Sequence, residues 1–318
     1  MELIDKMLSG DKLALARLIT KLENRSRNLH EIMRTVYPYT GNAYCLGVTG
    51  PPGAGKSTVV DELTCMMRGE GLTVGIVAVD PTSPFSGGAL LGDRIRMQKH
   101  YLDDGVFIRS MATRGSFGGL TATAKCVIRL LDAFGMDVVI VETVGVGQTE
   151  LDIIKAADTV LVTLVPEAGD SVQAMKAGLM EIADIFVVNK ADRDGAKRMA
   201  HELKTMLSYG KKEPYWQIPV VQTQANTSTG IKELYGEITR HRKVLCETGQ
   251  MSVRRQRQRE GELLEFIEQR LKDELIERIK KKKEYRSYIK RIMDGELDPY
   301  TASAELFDVN RVYDELFA

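Results

Sequence analysis

The chain is poor in cysteine, lacks long apolar segments and has no excess of charge of either sign. Its four cysteines lie far apart among 318 residues and form no C-x-x-C pair, which argues against a disulfide framework and favours buried, reduced thiols. No apolar run approaches the length of a membrane-spanning helix, and residues 1–10 carry charges where a signal peptide needs an apolar core. These features predict a cytoplasmic protein with no membrane partner.

The balance of charge also bears on nucleic acid. Basic and acidic residues number 44 each, so no overall field draws the chain to a polyanion. A basic stretch does occur at residues 254–283, but acidic residues alternate with the basic ones and no aromatic stacking platform accompanies them. We therefore expect no nucleic-acid partner.

What the chain does contain is a glycine-rich loop, residues 50–57, that fits the pattern G-x-x-x-x-G-K-[ST] in full. An apolar run at 44–49 precedes it and a helix-like run at 57–67 follows it, and strand, loop and helix are the context that a phosphate loop requires. Lys56 would neutralise the β- and γ-phosphates, and the Ser57 hydroxyl would hold Mg²⁺. The expected phosphate-binding residues are Gly50, Pro51, Pro52, Gly53, Ala54, Gly55, Lys56, Ser57 and Thr58.

A second motif indicates the base. An apolar run at 185–188 ends in N-K-x-D at residues 189–192. Guanine presents two adjacent donors, N1–H and N2–H₂, which one carboxylate can accept as a pair, whereas adenine has no such pair. Asp192 is expected to make this contact, Asn189 to bridge to neighbouring loops or to the base edge, and the Lys190 stem to lie over the ring. The motif therefore predicts GTP rather than ATP.

Between these motifs, an apolar run ends in an acid at Glu142, which predicts a buried parallel strand with its carboxylate at the ligand-binding end. Glu142 fits the acid that orders the Mg²⁺ shell, and Gly145 fits the glycine whose N–H meets the γ-phosphate. Val146 stands where Ras-like proteins place a water-orienting glutamine, and Gln148 lies two residues further on. Gln148 thus joins Lys56 and Glu142 as a candidate catalytic residue, and we expect slow hydrolysis until a partner or second subunit completes the site.

A loop rich in Gly, Pro and Ser occupies residues 80–93, after another apolar strand. It is too irregular for a helix or strand and too apolar at Leu90 and Leu91 for a disordered linker. Asp80 and Asp93 are candidates to reach the metal. The alternative is a surface loop whose acidic side chains face water.

Four segments together resemble the MeaB/ArgK family. They are D-P-[ST]-S…L-L-G-D-R at 80–94, R-G…G-G-L at 114–120, V-E-T-V-G-V-G-Q-[ST]-E at 141–150 and N-K-A-D at 189–192. Members of this family are P-loop GTPases that serve adenosylcobalamin-dependent acyl-CoA mutases, notably methylmalonyl-CoA mutase. The resemblance implies a homodimeric, Mg²⁺-dependent GTPase that acts as a chaperone, gates cobalamin loading and protects or reactivates the mutase.

The same resemblance assigns roles by position. It implies that Lys56 and Ser57 hold phosphate and Mg²⁺, that Asp93 and Glu142 support the metal, and that residues 167–176 form a mobile segment which the mutase helps to order.

The guanine-side loop is less regular than the rest of the resemblance. Gln224 and Ala225 stand where many GTPases carry Ser-Ala, and Asn226 follows them. The Ala225 backbone N–H could still meet the guanine O6, so Gln224, Ala225 and Asn226 complete the expected nucleotide-binding residues.

Three other functions stay open. Nickel-delivery GTPases share this class of fold, but they need soft or imidazole ligands, and the four histidines here are scattered, without a Cys-x-x-Cys or Cys-Pro-His motif. A transport-associated ATPase or kinase is a label that the family has also carried, and a preference for ATP would favour it. A regulatory binding module without turnover is the third, because the water-orienting position lacks its glutamine.

Hydrophobic periodicity divides the chain into three expected parts. Residues 1–42 form an N-terminal helical extension with helices at 12–22 and 28–36. Residues 43–246 form the P-loop GTPase domain, in which apolar strands alternate with helices. This alternation predicts an α/β fold with a mostly parallel sheet that helices cover on both faces. The expected strands are 44–49, 74–79, 106–111, 138–141, 159–165, 185–188 and 219–222.

The third part, residues 247–318, is expected to be a helical dimerisation arm. Residues 262–294 contain neither Gly nor Pro, which predicts a long helix. Apolar residues recur along it at spacings of three and four and form a single stripe that a second subunit would cover. The members of this stripe are Leu264, Ile267, Leu271, Leu275 and Ile279.

Overall fold

The computed structural model describes residues 2–24, 29–80, 97–112, 122–143, 149–166, 178–209, 215–281 and 283–306. Contacts between residues divide the chain into two units, Met1–Arg259 and Glu260–Ala318. The first unit contains the sheet and the candidate site. The described residues of the second unit form helices joined by a turn.

Seven parallel strands form the sheet of the first unit. Their bounds are β1 Tyr44–Thr49, β2 Val74–Asp80, β3 Val106–Ala112, β4 Val138–Thr143, β5 Thr159–Leu164, β6 Ile185–Val188 and β7 Val220–Gln222. Every residue of β1, β4, β5 and β6 is buried, as expected for parallel strands that are covered on both faces. The predicted parallel sheet is confirmed, and the predicted strands differ from these only at their ends.

The order of the strands, β3-β2-β4-β1-β5-β6-β7, places β1 between the two halves of the sheet. The chain builds β2, β3 and β4 on one side of β1 and β5, β6 and β7 on the other. In open parallel sheets, ligands bind at the carboxyl ends of the strands where the order reverses. The loop that follows β1 therefore lies at the expected ligand-binding position.

Helices cover both faces of this sheet, as predicted. The helices of this unit up to residue 247 are α1 Glu2–Leu8, α2 Lys12–Glu23, α3 Leu29–Val36, α4 Lys56–Gly69, α5 Ala122–Ala133, α6 Thr149–Asp152, α7 Leu179–Ile182, α8 Ala196–Tyr209 and α9 Ile231–Glu247. Apolar residues of α1, α2, α3, α5, α7 and α8 pack with one face of the sheet in a single core cluster. Those of α4 and α9 pack with the other face in a second cluster. The helices expected at 12–22 and 28–36 correspond to α2 and α3. Sequence reasoning missed α1, whose buried residues are only Ile4 and Met7.

Aspartates fix the opposite, amino-terminal edge of the sheet. Asp158 and Asp184 stand just before β5 and β6. The Asp158 carboxylate accepts the Cys45 backbone N–H of β1 at 2.8 Å, and the Asp184 carboxylate accepts the Val160 N–H of β5 at 2.8 Å. Each acid thus holds the start of the neighbouring strand, which sets the register of the strands that carry the site at their other ends.

Two arginines complete this edge. They belong to the start of α10 (Gln250–Lys281), whose residues up to Arg259 lie in the first unit. Arg254 donates to Asp184 through both terminal nitrogens at 2.7 and 2.9 Å, and Arg255 donates to Asp158 at 2.8 and 2.7 Å. Paired geometry of this kind is strong and directional, so the first turns of α10 are fixed to β5 and β6.

Two of the four cysteines differ from the prediction. Cys45 and Cys126 are buried, but Cys65 and Cys246 are exposed. Cys65 and Cys246 lie on α4 and α9, and an amphipathic helix exposes some residues within any apolar stretch of sequence. No disulfide joins any of these four cysteines.

The second unit contains the rest of α10, followed by α11 (Lys283–Met293) and α12 (Pro299–Leu306). The helix predicted across 262–294 is thus largely present, with residue 282 outside the described part. Three members of the predicted apolar stripe, Leu264, Ile267 and Leu271, are exposed by 55, 45 and 51%. Within the described ranges, no helix is both long and apolar enough to cross a membrane.

Candidate nucleotide site

The phosphate loop connects β1 to α4, and two of its glycines are fixed by close packing. Gly50 has a φ of +134°, and a Cβ there would lie 2.0 Å from the Thr163 carbonyl oxygen of β5. Gly55 has a left-handed φ of +83°, and its Cβ would lie 2.4 Å from the side-chain nitrogen of Asn189. Only glycine fits both the conformation and the space at these two positions, which explains why the first and sixth residues of the pattern are glycines in this chain.

Lys56 begins α4, and its side chain is buried against the loop. Its Nζ donates to the carbonyl oxygens of Gly50 and Pro51 at 2.8 and 2.9 Å. A buried ammonium group requires such partners, because it has left water. The positive charge therefore lies at the loop itself, where a bound polyphosphate would be surrounded by backbone N–H groups.

Ser57 and Glu142 meet at the start of the same helix. Ser57 Oγ donates to Glu142 Oε1 at 2.7 Å, and both residues are only 5% exposed. The parallel register pairs Val48 of β1 with Glu142 of β4, so the carboxylate lies beside the strand that enters the phosphate loop. A hydroxyl and a carboxylate oxygen are ligands of the kind that Mg²⁺ prefers. The two residues that the sequence places nearest the metal are thus in contact.

The other metal-side and γ-phosphate candidates are described only in part. Asp80 ends β2 opposite Ala112 of β3, which places its backbone at the same edge of the sheet, while its side chain is outside the described part. The remaining predicted residues lie wholly outside the described ranges, and their roles stay predictions; they are Asp93, Gly145, Val146, Gln148 and the segment 167–176.

Asn189 joins three segments of the site. It is buried, and its Nδ2 donates to the Ala54 carbonyl of the phosphate loop at 2.9 Å. Its Oδ1 accepts hydrogen bonds from Thr223 Oγ1 at 3.1 Å and from the Ala225 N–H at 3.2 Å. One amide therefore fixes the phosphate loop, the N-K-x-D motif and the loop after β7 relative to one another.

The base-side residues are more accessible. Asp192 is exposed in the turn that follows β6, and Lys190 has a left-handed φ of +55°. The Ala225 N–H, which the sequence assigns to guanine O6, donates to Asn189 in this structure, so a base contact would share or replace that bond. Gln224 is half-buried and Asn226 is exposed beside it. Thr58, in the first turn of α4, is also exposed.

Sequence reasoning missed a buried threonine pair beside the site. Thr143 Oγ1 donates to Thr49 Oγ1 at 2.8 Å, and these residues end β4 and β1. Thr223, which donates to Asn189, was missed as well. The sequence offers a sign of all three: Thr49 and Thr143 are hydroxyl residues that end apolar strands beside recognised motifs, and Thr223 directly follows β7, next to Gln224 and Ala225.

Proteins that are similar in sequence and in structure point to the same class of protein. A model of the family described as "Methylmalonyl Co-A mutase-associated GTPase MeaB" matches residues 15–283, a range that includes most of α2, the whole sheet and α10. The chain belongs to the MeaB family of GTPases. The family that the motifs suggested is thereby confirmed, and this MeaB-family protein is a GTP hydrolase.

Individual relatives match the MeaB-family chain nearly end to end. One relative is a Pyrococcus abyssi protein that is named provisionally as a GTPase. It is 52% identical to this chain over 305 residues, and the match covers 95% of this chain and 94% of the relative. GTPase ArgK of Escherichia coli is 34% identical over 314 residues, 96% of this chain and 95% of its own. A crystal structure named as an LAO/AO transport system kinase superposes with a TM-score of 0.69 at 28% identity, covering 96% of this chain and 95% of that one.

Proposed function

We propose that this protein is a GTP-driven switch and chaperone for an adenosylcobalamin-dependent acyl-CoA mutase of the methylmalonyl-CoA mutase type. The observation that carries the proposal is the family match over residues 15–283, because the description of that family names the mutase. The proposed action is to gate cobalamin loading and to protect or reactivate the mutase. Hydrolysis provides the switch if the nucleotide states differ in their affinity for the partner.

The chemistry assigned to the site is attack of water on the γ-phosphorus. A new P–O bond forms as the bond to the β–γ bridging oxygen breaks, and GDP and inorganic phosphate leave. The Lys56 ammonium counters the negative charge on the phosphate oxygens, and Gly50 and Gly55 allow the loop backbone to approach them closely. The residues therefore act by position and charge and form no covalent intermediate.

Mg²⁺ fits the metal side of this site. Ser57 and Glu142 present oxygens 2.7 Å apart, and Mg²⁺ commonly takes one or two protein oxygens together with water and phosphate. We assign Ser57 to the ion and Glu142 to its shell, with Asp80 and Asp93 as further supports. When bound, Mg²⁺ would neutralise charge on the β- and γ-phosphates.

Guanine selection is assigned to Asp192, whose carboxylate can accept both N1–H and N2–H₂. An adenine base has no such pair of donors for the carboxylate, so this contact favours guanine. Lys190 is assigned to the face of the ring, and Gln224, Ala225 and Asn226 to its O6 side. Asn189 supports this arrangement because it holds both loops.

We further propose that the isolated protein hydrolyses GTP slowly. Val146 stands at the position of the water-orienting glutamine, so Gln148 or a residue of the partner would have to orient the water. Gly145 is assigned to sensing the γ-phosphate, and residues 167–176 to contact with the mutase. Binding of the mutase is therefore expected to stimulate turnover.

A homodimer formed through α10 is part of the same proposal. The exposed side chains of Leu264, Ile267 and Leu271 lie on one stripe, and burying such a stripe against a second copy removes apolar surface from water. The cytoplasmic location stays a prediction from the sequence.

One observation favours a second candidate. The solved structure at 28% identity and a TM-score of 0.69 bears the name of a transport system kinase. An enzyme of that kind would use ATP as a phosphoryl donor to another protein. Preference for ATP over GTP would support this alternative.

The test is equilibrium binding between this protein and the acyl-CoA mutase of the same organism. We expect the Kd for the mutase to differ by roughly fivefold or more between the GTP, GDP and nucleotide-free states, as typical coupling energies imply. The Lys56→Ala variant, which should lose nucleotide, is the control and should show one Kd throughout. An identical Kd for the wild type in all three states would refute the switch, and a dependence on ATP alone would favour the kinase.

A further inference from the structure

Glu62 lies in the second turn of α4, the helix that begins with Lys56 and Ser57, and its two carboxylate oxygens have different partners. Ser228 Oγ donates to Oε2, and Lys99 Nζ lies 3.3 Å from Oε1. The Glu62 side chain is only 14% exposed, although the Lys99 side chain that it meets is 65% exposed. One carboxylate therefore joins the phosphate-binding helix to two segments that are distant in sequence.

Ser228 closes the base-side turn after β7. It has a left-handed φ of +57°, which is unfavourable for a residue with a Cβ and needs support from its surroundings. Its backbone N–H donates to the Ala225 carbonyl at 3.2 Å. The Ala225 N–H in turn donates to Asn189. The turn is thus held at one end by the N-K-x-D asparagine and at the other by Glu62.

Lys99 orients the same carboxylate from the opposite side. It belongs to the turn Gln98–His100, and its Nζ also lies 3.2 Å from Asp61 Oδ2. The neighbouring His100 is buried. Its Nε2 makes a hydrogen-bond contact of 3.3 Å with the Asp61 carbonyl oxygen. The same nitrogen lies 3.1 Å from Asp61 Oδ1, but the angle does not suit a hydrogen bond. Hydrogen bonds to Asp61 and Glu62 raise the pKa of Lys99, so its charge is shared between adjacent acids.

We propose that Glu62 is a positioning residue for guanine nucleotides. It fixes the base-side turn to the helix that begins with the phosphate-binding residues, and Lys99 holds its carboxylate in the orientation that Ser228 needs. A bound nucleotide spans both regions, so a preset distance between them lowers the ordering cost of binding. This inference rests on the assignment of the Ala225 turn to guanine in the proposed function.

Two probes separate this role from a purely structural one. GDP contacts both the phosphate loop and the base-side turn, whereas inorganic pyrophosphate can contact only the former. Glu62→Gln keeps an acceptor for the Ser228 hydroxyl but loses the charge, so it should weaken GDP binding roughly five- to tenfold, about the difference between a charge-assisted and a neutral hydrogen bond, and should leave pyrophosphate affinity unchanged. Ser228→Ala removes the bond altogether and should give a loss of the same kind that is at least as large, whereas Lys99→Met should give a smaller one.

The matched control is Glu70→Gln. Glu70 follows the same helix and accepts a hydrogen bond from the Tyr235 hydroxyl at 2.7 Å, on α9 rather than on the base-side turn. This variant should bind GDP as the wild type does. Thermal unfolding of each variant shows whether the fold is retained.

The double variant Glu62→Gln with Ser228→Ala should bind GDP no more weakly than Ser228→Ala alone, because Ser228→Ala already removes the contact that Glu62→Gln weakens. Additive losses would overturn the proposal, as would equal weakening of GDP and pyrophosphate or unchanged GDP binding in Glu62→Gln. A wild-type protein that binds pyrophosphate but not GDP would refute the guanine assignment itself, and the role of Glu62 with it.

Discussion

Ser57 and Glu142, 85 residues apart in sequence, share a 2.7 Å hydrogen bond between the first turn of α4 and the end of β4. The bond brings together the hydroxyl of the phosphate-loop motif and the acid of a separate strand motif. Because β1 and β4 are adjacent and parallel, the fold itself sets this distance. The contact between Ser57 and Glu142 therefore depends on sheet register as well as on the motifs.

The first prediction concerns this acid. Glu142→Ala should retain GDP binding but lower Mg²⁺-dependent GTP turnover by about 10- to 100-fold, a typical effect of removing a residue that supports a metal shell. Glu142→Gln can still accept the Ser57 hydroxyl and serves as the matched control for folding. Turnover of Glu142→Ala is measured by phosphate release across a Mg²⁺ titration. Wild-type rates would show that another acid organises the metal.

The second prediction compares two glycines of the phosphate loop. A Cβ at Gly53 would meet nothing within 4 Å. Gly53→Ala should therefore lower the stability of the loop conformation only by the backbone strain of a φ of +77°, about 1–2 kcal/mol. A Cβ at Gly50 would collide with the Thr163 carbonyl, so Gly50→Ala must displace backbone and should weaken GDP binding well beyond the Gly53 variant. Calorimetric titration with GDP measures both. Equal losses would contradict the close packing of Gly50.

The third prediction concerns the base. Asp192→Asn should weaken GTP binding and gain binding of xanthosine triphosphate, because the new amide can donate to the 2-oxo group of xanthine. Asp192 is exposed, so the free energy of unfolding should change little. Competition between the two nucleotides is the measurement. Loss of GTP binding without any gain for the xanthine nucleotide would show that Asp192 does not read the base.

The fourth prediction is a pH dependence of stability. His241 is fully buried, and its Nδ1 lies 2.6 Å from Thr159 Oγ1. Burial lowers the pKa of His241 from 6.5 to about 4, against an opposing effect of Asp184. The unfolded state therefore binds a proton more readily than the native state. The resulting stability is complete above pH 6.5 and is lost as the pH falls through about 4.

Urea unfolding between pH 7.5 and 4.5 checks this sign. Trp216, whose ring centroid lies 4.5 Å from that of His241, is the single tryptophan of the chain and provides the fluorescence signal. His241 should account for roughly 2–3 kcal/mol of the fall in unfolding free energy across this pH range, because its pKa is about 4 in the folded protein and 6.5 in the unfolded chain. His241→Gln should flatten the profile, whereas His201→Gln, at an exposed position, should not. If stability depended on pH equally in the His241→Gln variant and the wild type, the pH dependence would not come from His241.

The fifth prediction concerns the arginine pairs at the amino-terminal edge. Asp158 is only 2% exposed, so Arg255→Ala leaves a buried carboxylate without its cation and should cost about 3–5 kcal/mol of unfolding free energy. Arg257→Ala, at an exposed position on the same helix, should cost less than about 0.5 kcal/mol. Chemical denaturation compares them. Equal effects would mean that the Arg255 pair adds no stability.

The sequence predicted those parts of the fold and site that depend on short segments. Gly50, Gly55 and Lys56 belong to one loop whose pattern is local, and β1 and β6 are apolar runs that end at motifs. The alternation of strands with helices was sufficient to predict a parallel sheet, because parallel strands need long crossover connections, which are usually helices. Such features require no knowledge of which distant residues come together.

Contacts between distant segments could not be predicted in the same way. The bond from Asn189 to Ala54 and the bond from Ser228 to Glu62 depend on how two loops and a helix pack, which no short pattern encodes. The exposure of Cys65 depends on the direction in which one turn of α4 faces. These features emerge only when the sheet order and helix packing are known.

The most direct test of the whole account is GTP turnover of the purified protein with and without the acyl-CoA mutase from the same organism. A switch whose site is completed by its partner should hydrolyse GTP slowly alone and faster by roughly tenfold or more in the complex, a stabilisation of at least about 1.4 kcal/mol in the transition state. Glu142→Ala in the same assay should abolish the stimulation. A turnover rate that the mutase leaves unchanged, at concentrations that saturate any complex, would contradict the account.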